Sequence, residues 1–293
     1  MLKTILAIAG ALVFILLIWY SGPQAIWNAA TQANPFLLLA ALACLALITL
    51  LKGLRLHALL KHSGSIARRE ALAVFSFGQL ANQGITTALG EVAKGALLKK
   101  VHGFSFSKSM GVILVERGYD FLFTVFFAAI ALAALRPDSL PFLGAALAIV
   151  FFGVAAAAFA PGNWFSFLKR WKKVYESASK FRQGIKSLQP KTLAYALAFS
   201  AAAWLFEGLG NQLIFSALGI QLPILTVLGI TSAGLIVGFA TAIPGGIGSR
   251  EATLVLLYAA AGVSAPAVIA QALLYRIGMT GVSLASYAAA GKK

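Results

Sequence analysis

The run "PFLLLAALACLALITLL", residues 35–51, contains no charged side chain and would extend about 25 Å as a helix. "TILAIAGALVFILLIWY", residues 4–20, matches it in length and purity. A bilayer core of about 30 Å selects runs of this kind, and further apolar stretches lie at 71–89, 109–135, 139–160, 192–217, 223–243 and 265–290. Composition agrees: 60% of residues are hydrophobic and 11% charged, against about 25% charged in soluble proteins. The chain therefore reads as an all-α polytopic membrane protein.

The first run follows Lys3 and exceeds the usual 7–15-residue core of a signal peptide. No small-residue cleavage site comes after it, so it is expected to remain as the first helix. Cys44 is the single cysteine, which excludes an intramolecular disulfide. His57, His62 and His102 are scattered among basic residues, so no metal site, cofactor or catalytic residue is assigned. The formal charge of +16 is explained by cytoplasmic loops rich in Lys and Arg, so no nucleic-acid partner is expected.

Two basic stretches fix the topology. Lys52, Arg55, Lys61, Arg68 and Arg69 follow the second run. Lys169, Arg170, Lys172, Lys173, Lys180, Arg182, Lys186 and Lys191 fill residues 161–191. Both should be cytoplasmic, yet they would lie on opposite sides if every run crossed once. Two hairpins resolve the conflict. In the first, 71–89 enters from the cytoplasm, breaks near "TTALGE" and returns, leaving Lys94, Lys99, Lys100 and Lys108 cytoplasmic. In the second, 223–243 enters from outside, breaks at "IPGGIGS" and returns over 250–262, about 20 Å of helix and too short to cross. The expected architecture is six crossing helices plus two oppositely oriented re-entrant helical hairpins. Both termini are then cytoplasmic, in a bacterial- or archaeal-type cell (inner) membrane. Arg136 lies outside, and only Arg117, Arg250 and Arg276 fall at membrane depth.

The two broken segments align with one gap, matching Glu91 with Glu251, Gly103 with Gly262, Ser105 with Ser264 and Arg117 with Arg276. The single transmembrane domain thus divides into pseudo-repeats at about 1–136 and 137–293. Each would have three crossings, so the second must be inverted. Inverted repeats with broken helices are a recurrent transporter design, with the binding site near the bilayer midplane.

The second break supplies the first candidate residues. Pro244 stops the helix, while Gly245, Gly246 and Gly248 let the backbone reverse. Ser249 is a candidate N-cap for the returning half-helix, whose N-terminus would suit an anionic group. The alternative is a tight turn at the membrane surface with Arg250 and Glu251 in water. Glu116, Arg117 and Asp120 share one helix, with Glu116 and Asp120 on one face; Glu207 and Arg276 sit within later spans. Each isolated charge would cost roughly 2.5–3.5 kcal/mol in lipid, so they should face inward and pair. They either fasten the two halves together or form a phosphate-binding centre tuned by carboxylates. Glu116, Asp120 and Glu207 are also candidates for proton coupling. Residues 163–189 form an amphipathic basic helix suited to an anionic leaflet, as an anchor or as a lipid-recruiting surface.

"PGGIGSREA" after an apolar segment resembles an element of the lysylphosphatidylglycerol synthase transmembrane-region family, also called flippase-like proteins. "GEVAKGALLKK" and the intramembrane "ERGYD" resemble its upstream elements, and the resemblance covers nearly the whole chain. It implies that Pro244, Gly245, Gly246, Gly248, Arg250 and Glu251 form the second re-entrant element. Gly90, Glu91 and Lys94 would form the first, with Glu116, Arg117 and Asp120 on the helix after it. In longer relatives this region is fused to a soluble aminoacyl-transferase domain and is implicated in moving aminoacylated lipid between leaflets. The present sequence ends at "AAAGKK", so it is expected not to synthesise lysyl-lipid.

The leading expectation is a non-enzymatic translocator of an anionic or polyprenyl-phosphate-linked lipid. Its binding set would be Gly90, Glu91, Lys94, Glu116, Arg117, Asp120, Glu207, Pro244, Gly245, Gly246, Gly248, Arg250, Glu251 and Arg276. No phosphate-binding nucleotide loop is present, which leaves a lipid gradient, protons or a partner as the energy source. The competing readings are an integral head-group transferase, and a membrane subunit that docks a cytoplasmic glycosyl- or aminoacyl-transferase.

Overall fold

A computed structural model describes residues 2–84, 87–135, 172–241 and 243–291, and among these residues every regular element is helical. The elements are α1 (Leu2–Ser21), α2 (Pro23–Thr31), α3 (Pro35–Leu60), α4 (Arg68–Gly84), α5 (Thr87–His102) and α6 (Phe106–Leu135). After residues outside the described set come α7 (Lys172–Lys186), α8 (Pro190–Ala217) and α9 (Ile224–Ala240). A 3-10 turn at Pro244–Gly246 follows, then α10 (Ser249–Ala260) and α11 (Ala265–Gly291).

Local chemistry explains the main boundaries. Gly22, at φ 81°, and Pro23 separate α1 from α2, and the chain bends there by 79°. Asn34 caps α3, its side chain accepting from the Phe36 and Leu37 amides, with Pro35 opening the helix. By length and hydropathy α3, α8 and α11 can each cross a membrane, and α1 with α2 can do so if taken as one span. The expected span 139–160 lies outside the described residues.

The basic stretch at 52–70, expected as a loop, is helical through Leu60. Lys52 and Arg55 therefore continue the α3 span, and Gly53 packs against Leu72 of α4. Next to the expected first break, α4 ends at Gly84 and α5 begins at Thr87, so most of "TTALGE" is helical. Gly90 is not a helix breaker: a Cβ there would collide with the Asn82 side chain and the Gly78 carbonyl, so it allows α4 and α5 to approach closely.

Two helix pairs, α4 with α5 and α9 with α10, pack antiparallel as hairpins. In the first, Gly78 of α4 faces Gly90 and Lys94 of α5. In the second, Gly234 of α9 faces Leu254 of α10, and Gly238 faces Arg250. The tips meet: a Cβ on Gly245 would lie 2.9 Å from the Gln83 carbonyl, and Thr280 of α11 donates to the Gln83 side chain. Each hairpin has its own apolar core. Leu56, Leu59, Leu60, Phe75, Leu98 and Ile113 form one; Phe215, Ile230, Leu254, Tyr258 and Val268 form the other. The α3 and α8 helices pack along each other, with Gly210 against Cys44.

The described part of the amphipathic segment is α7. It packs backbone-close on α6 through Gly184 against Lys108 and Gly111 against Phe181, with Lys173, Lys180 and Lys186 outward. Its apolar side is thus committed in part to protein.

Candidate functional site

The first hairpin and its neighbours bring seven charged side chains together. Arg55, fully buried, sets Nη1 2.8 Å from Asp120 Oδ1 and Nη2 3.1 Å from Asp120 Oδ2. The same guanidinium reaches Glu116 Oε1 at 3.2 Å and the Ser200 hydroxyl of α8 at 2.8 Å. Lys94 Nζ lies 2.6 Å from Glu91 Oε2 and 2.9 Å from Glu116 Oε2. Arg117 Nη2 lies 2.6 Å from Glu91 Oε1, with Nη1 3.4 Å from Asp120 Oδ2, and Lys52 Nζ is 3.6 Å from Asp120. Asn82 donates to Glu91 at 3.1 Å. Every carboxylate here has at least two cationic partners. The expectation that Lys52, Arg55 and Lys94 face the cytoplasm is therefore corrected: Arg55 and Lys94 have no exposed surface, and Lys52 points inward. Charge next to an apolar run reads as surface, but here the helix carrying it continues into packed protein.

The second unit repeats the central pair. Arg276 sets Nε 3.0 Å and Nη2 2.6 Å from Glu251 Oε1, and Nη2 also donates to the Gly245 carbonyl at 3.1 Å. The sequence-matched pairs Glu91–Arg117 and Glu251–Arg276 thus form the same contact at the same 2.6 Å. Gly103 and Gly262, also matched, both have positive φ, at 68° and 78°. Ser105 and Ser264 both give their carbonyl to the first turn of the next helix, accepting from Ser109 and Val268.

Two expectations about the turn are revised. Gly248, at φ 83°, occupies the N-cap of α10, whereas the Ser249 hydroxyl bonds Thr241 at 2.9 Å. The Glu251 carboxylate accepts from the Gly248 amide at 2.8 Å, so the positive end of α10 is closed by the chain's own anion. Nearby, Glu207 accepts from the Tyr275 hydroxyl at 2.6 Å and from Asn211 at 3.4 Å. Gln271 supports Asn211 at 2.7 Å. Among the described residues no cation lies within ion-pair distance of Glu207. Arg250 is its counterpart. Its guanidinium stacks 5.3 Å from the Tyr275 ring centre, no carboxylate pairs with it among the described residues, and its buried Nε has no acceptor.

Between the two networks lies a cavity of about 150 Å³. Of the expected site residues, Arg117, Asp120, Glu207, Gly245, Gly246, Arg250 and Arg276 line it. Gly90, Glu91, Lys94, Glu116, Gly248 and Glu251 stand behind as ion-pair partners and close-packed backbone, and Pro244 opens the turn. The wall also carries Lys52, Gln79, Asn82, Gln83 and Tyr275, none of which sequence reasoning selected. Spacing offered a signal for Lys52 and Arg55, which lie three apart on a helix without a proline stop. Four cations face this space against two carboxylates, Asp120 and Glu207, so the cavity suits an anion.

An all-helical chain with several bilayer-length apolar helices and a buried charged centre is a multi-pass membrane protein. It belongs to the family described as the lysylphosphatidylglycerol synthase transmembrane region, whose model matches residues 6–286. A UPF0104 membrane protein of Methanothermobacter thermautotrophicus is 24% identical over 301 aligned positions, covering 92% of this chain and 88% of its own. A UPF0104 membrane protein of Methanocaldococcus jannaschii is 25% identical over 202 positions, covering 67% of this chain and 86% of its own.

Proposed function

We propose that the chain is a carrier that moves an anionic lipid between leaflets, holding the lipid phosphate in the cavity between the two hairpins. The observation that carries this reading is Arg250, a cation on the cavity wall with no carboxylate partner among the described residues. An unpaired charge at that depth is costly unless something completes it. In this reading the hairpins are re-entrant and inverted relative to each other, with six spans and both termini cytoplasmic. The matched Glu–Arg pairs and the meeting of the two hairpin tips support the symmetry. Backbone breaks at membrane depth are tolerated where protein buries them or a cavity opens, and Gly245 and Gly246 line this one.

The reading is of a carrier rather than a head-group transferase. His62 Nε2 sits 2.7 Å from the Thr192 hydroxyl and His102 3.7 Å from Glu70, both away from the cavity wall. The test is leaflet exchange of fluorescent phosphatidate, phosphatidylglycerol and phosphatidylcholine in vesicles containing the purified protein. Faster exchange of the anionic lipids than of phosphatidylcholine is the expected result. Equal rates for all three would contradict a site built on cations.

A further inference from the structure

We propose that the head group this cavity selects is a phosphomonoester, a phosphate joined to its lipid by one ester bond. This rests on the translocator reading above and adds which head group it serves.

The first support is the set of polar groups left uncommitted. Arg117 is held by Glu91 and Asp120, Arg276 by Glu251 and the Gly245 carbonyl, and Tyr275 donates to Glu207. Three side chains on the wall keep donors to spare, each from a different helix. Arg250 of α10 has only the Tyr275 ring. Lys52 of α3 stands 3.6 Å from an Asp120 oxygen that Arg55 already holds at 2.8 Å. Gln79 of α4 makes no hydrogen bond among the described residues.

Two cations with free capacity match a dianion better than a monoanion. A phosphomonoester carries about −1.5 to −2 at pH 7, with three unesterified oxygens for three donors. A phosphodiester carries a single charge on two such oxygens. The size is also sufficient. A cavity of about 150 Å³ is one that takes a benzene-sized molecule. A phosphate is of that order, so the cavity has room for it beside these donors.

The experiment is equilibrium binding of radiolabelled phosphatidate and phosphatidylglycerol with identical acyl chains to the detergent-purified full chain, with inorganic phosphate as a competitor. At pH 7.5 phosphatidate should bind at least about tenfold more tightly. That preference should shrink below pH 6, where the dianionic monoester takes up a proton and becomes a monoanion. Arg250→Gln and Lys52→Gln should each abolish the preference while leaving phosphatidylglycerol binding in place. Should Arg250→Gln not fold, Arg250→Lys, which keeps the charge but not the planar fork, should retain only part of it. Equal binding of the two lipids by the wild-type chain overturns the head-group inference but leaves the carrier intact. Failure of both lipids to bind overturns the carrier as well. Competition by inorganic phosphate as strong as by phosphatidate would make the ligand a soluble anion, which contradicts both.

Discussion

The two hairpin-and-helix units share a Glu–Arg pair but surround it differently. In the first, Glu91, Glu116 and Asp120 are each held by two or more of Lys52, Arg55, Lys94 and Arg117. In the second, the position matched to Lys94 is Leu254, Glu207 meets a tyrosine hydroxyl in place of a cation, and Arg250 has no carboxylate partner among the described residues. The saturated network acts as a fastener joining α3, α5, α6 and α8. In the proposed function the sparse one keeps capacity for a ligand.

The largest expected effect tests the fastener. Arg55→Met strands Asp120 and Glu116 without their main partner, and breaking a buried pair costs about 3–5 kcal/mol. A thermal melt in detergent should show most of the protein lost from the folded pool. A melting temperature equal to wild type would remove the distinction between the two networks.

Next come the matched pairs. Double-mutant cycles on Glu91→Gln with Arg117→Met, and on Glu251→Gln with Arg276→Met, should give coupling energies of the same sign, each about 0.5–3 kcal/mol. Coupling in one unit and none in the other would break the structural equivalence.

These pairs mark how far the sequence could be read. Apolar runs marked the helices α1, α3, α6, α8 and α11, of which α3, α8 and α11 are each long and apolar enough to cross a membrane, because bilayer length is a local property. The Pro-Gly-Gly break and the matches of Glu91 with Glu251 and Arg117 with Arg276 were also legible. Helix breakers and intramembrane charges are conspicuous against an apolar background, but they do not show that each Glu holds its Arg. The burial of Lys52, Arg55 and Lys94 was not legible, although the family resemblance placed Lys94 in the binding set. Loop counting assigns charge by its neighbours in sequence, whereas their burial depends on α3 running on to Leu60 and on Gly78 letting Lys94 cross α4. The N-cap went to Gly248 rather than Ser249 because the Glu251 carboxylate already satisfies the turn's amide, leaving the hydroxyl for Thr241. Gly90, placed in the first element by the family resemblance, is a contact glycine, which only the facing Asn82 and Gly78 reveal.

A smaller effect is expected at the meeting of the tips. Gly245→Ala puts a side chain at φ 61° and 2.9 Å from the Gln83 carbonyl, with about 1–2 kcal/mol from the backbone conformation alone. The melt should fall by a few degrees and leaflet exchange should slow. Exchange above wild type would mean that the tips need not stay in contact for transport. The smallest effect belongs to Lys180→Ala on the outward face of α7, within about 0.5 kcal/mol in the same melt. A larger loss would show that this helix contributes to the fold through more than its packing on α6.

Charge that the carboxylates leave over, on Arg250 and on Lys52 at the edge of the first network, is proposed to bind the ligand, while the remaining ion pairs of the first network hold the fold. Leaflet exchange of fluorescent phosphatidate by Arg250→Gln, measured beside its melting temperature, tests this most directly. Exchange should fall by at least about tenfold, with a melting temperature close to wild type, because Arg250 gives up no ion pair. Exchange at the wild-type rate in a folded variant would contradict that role for Arg250.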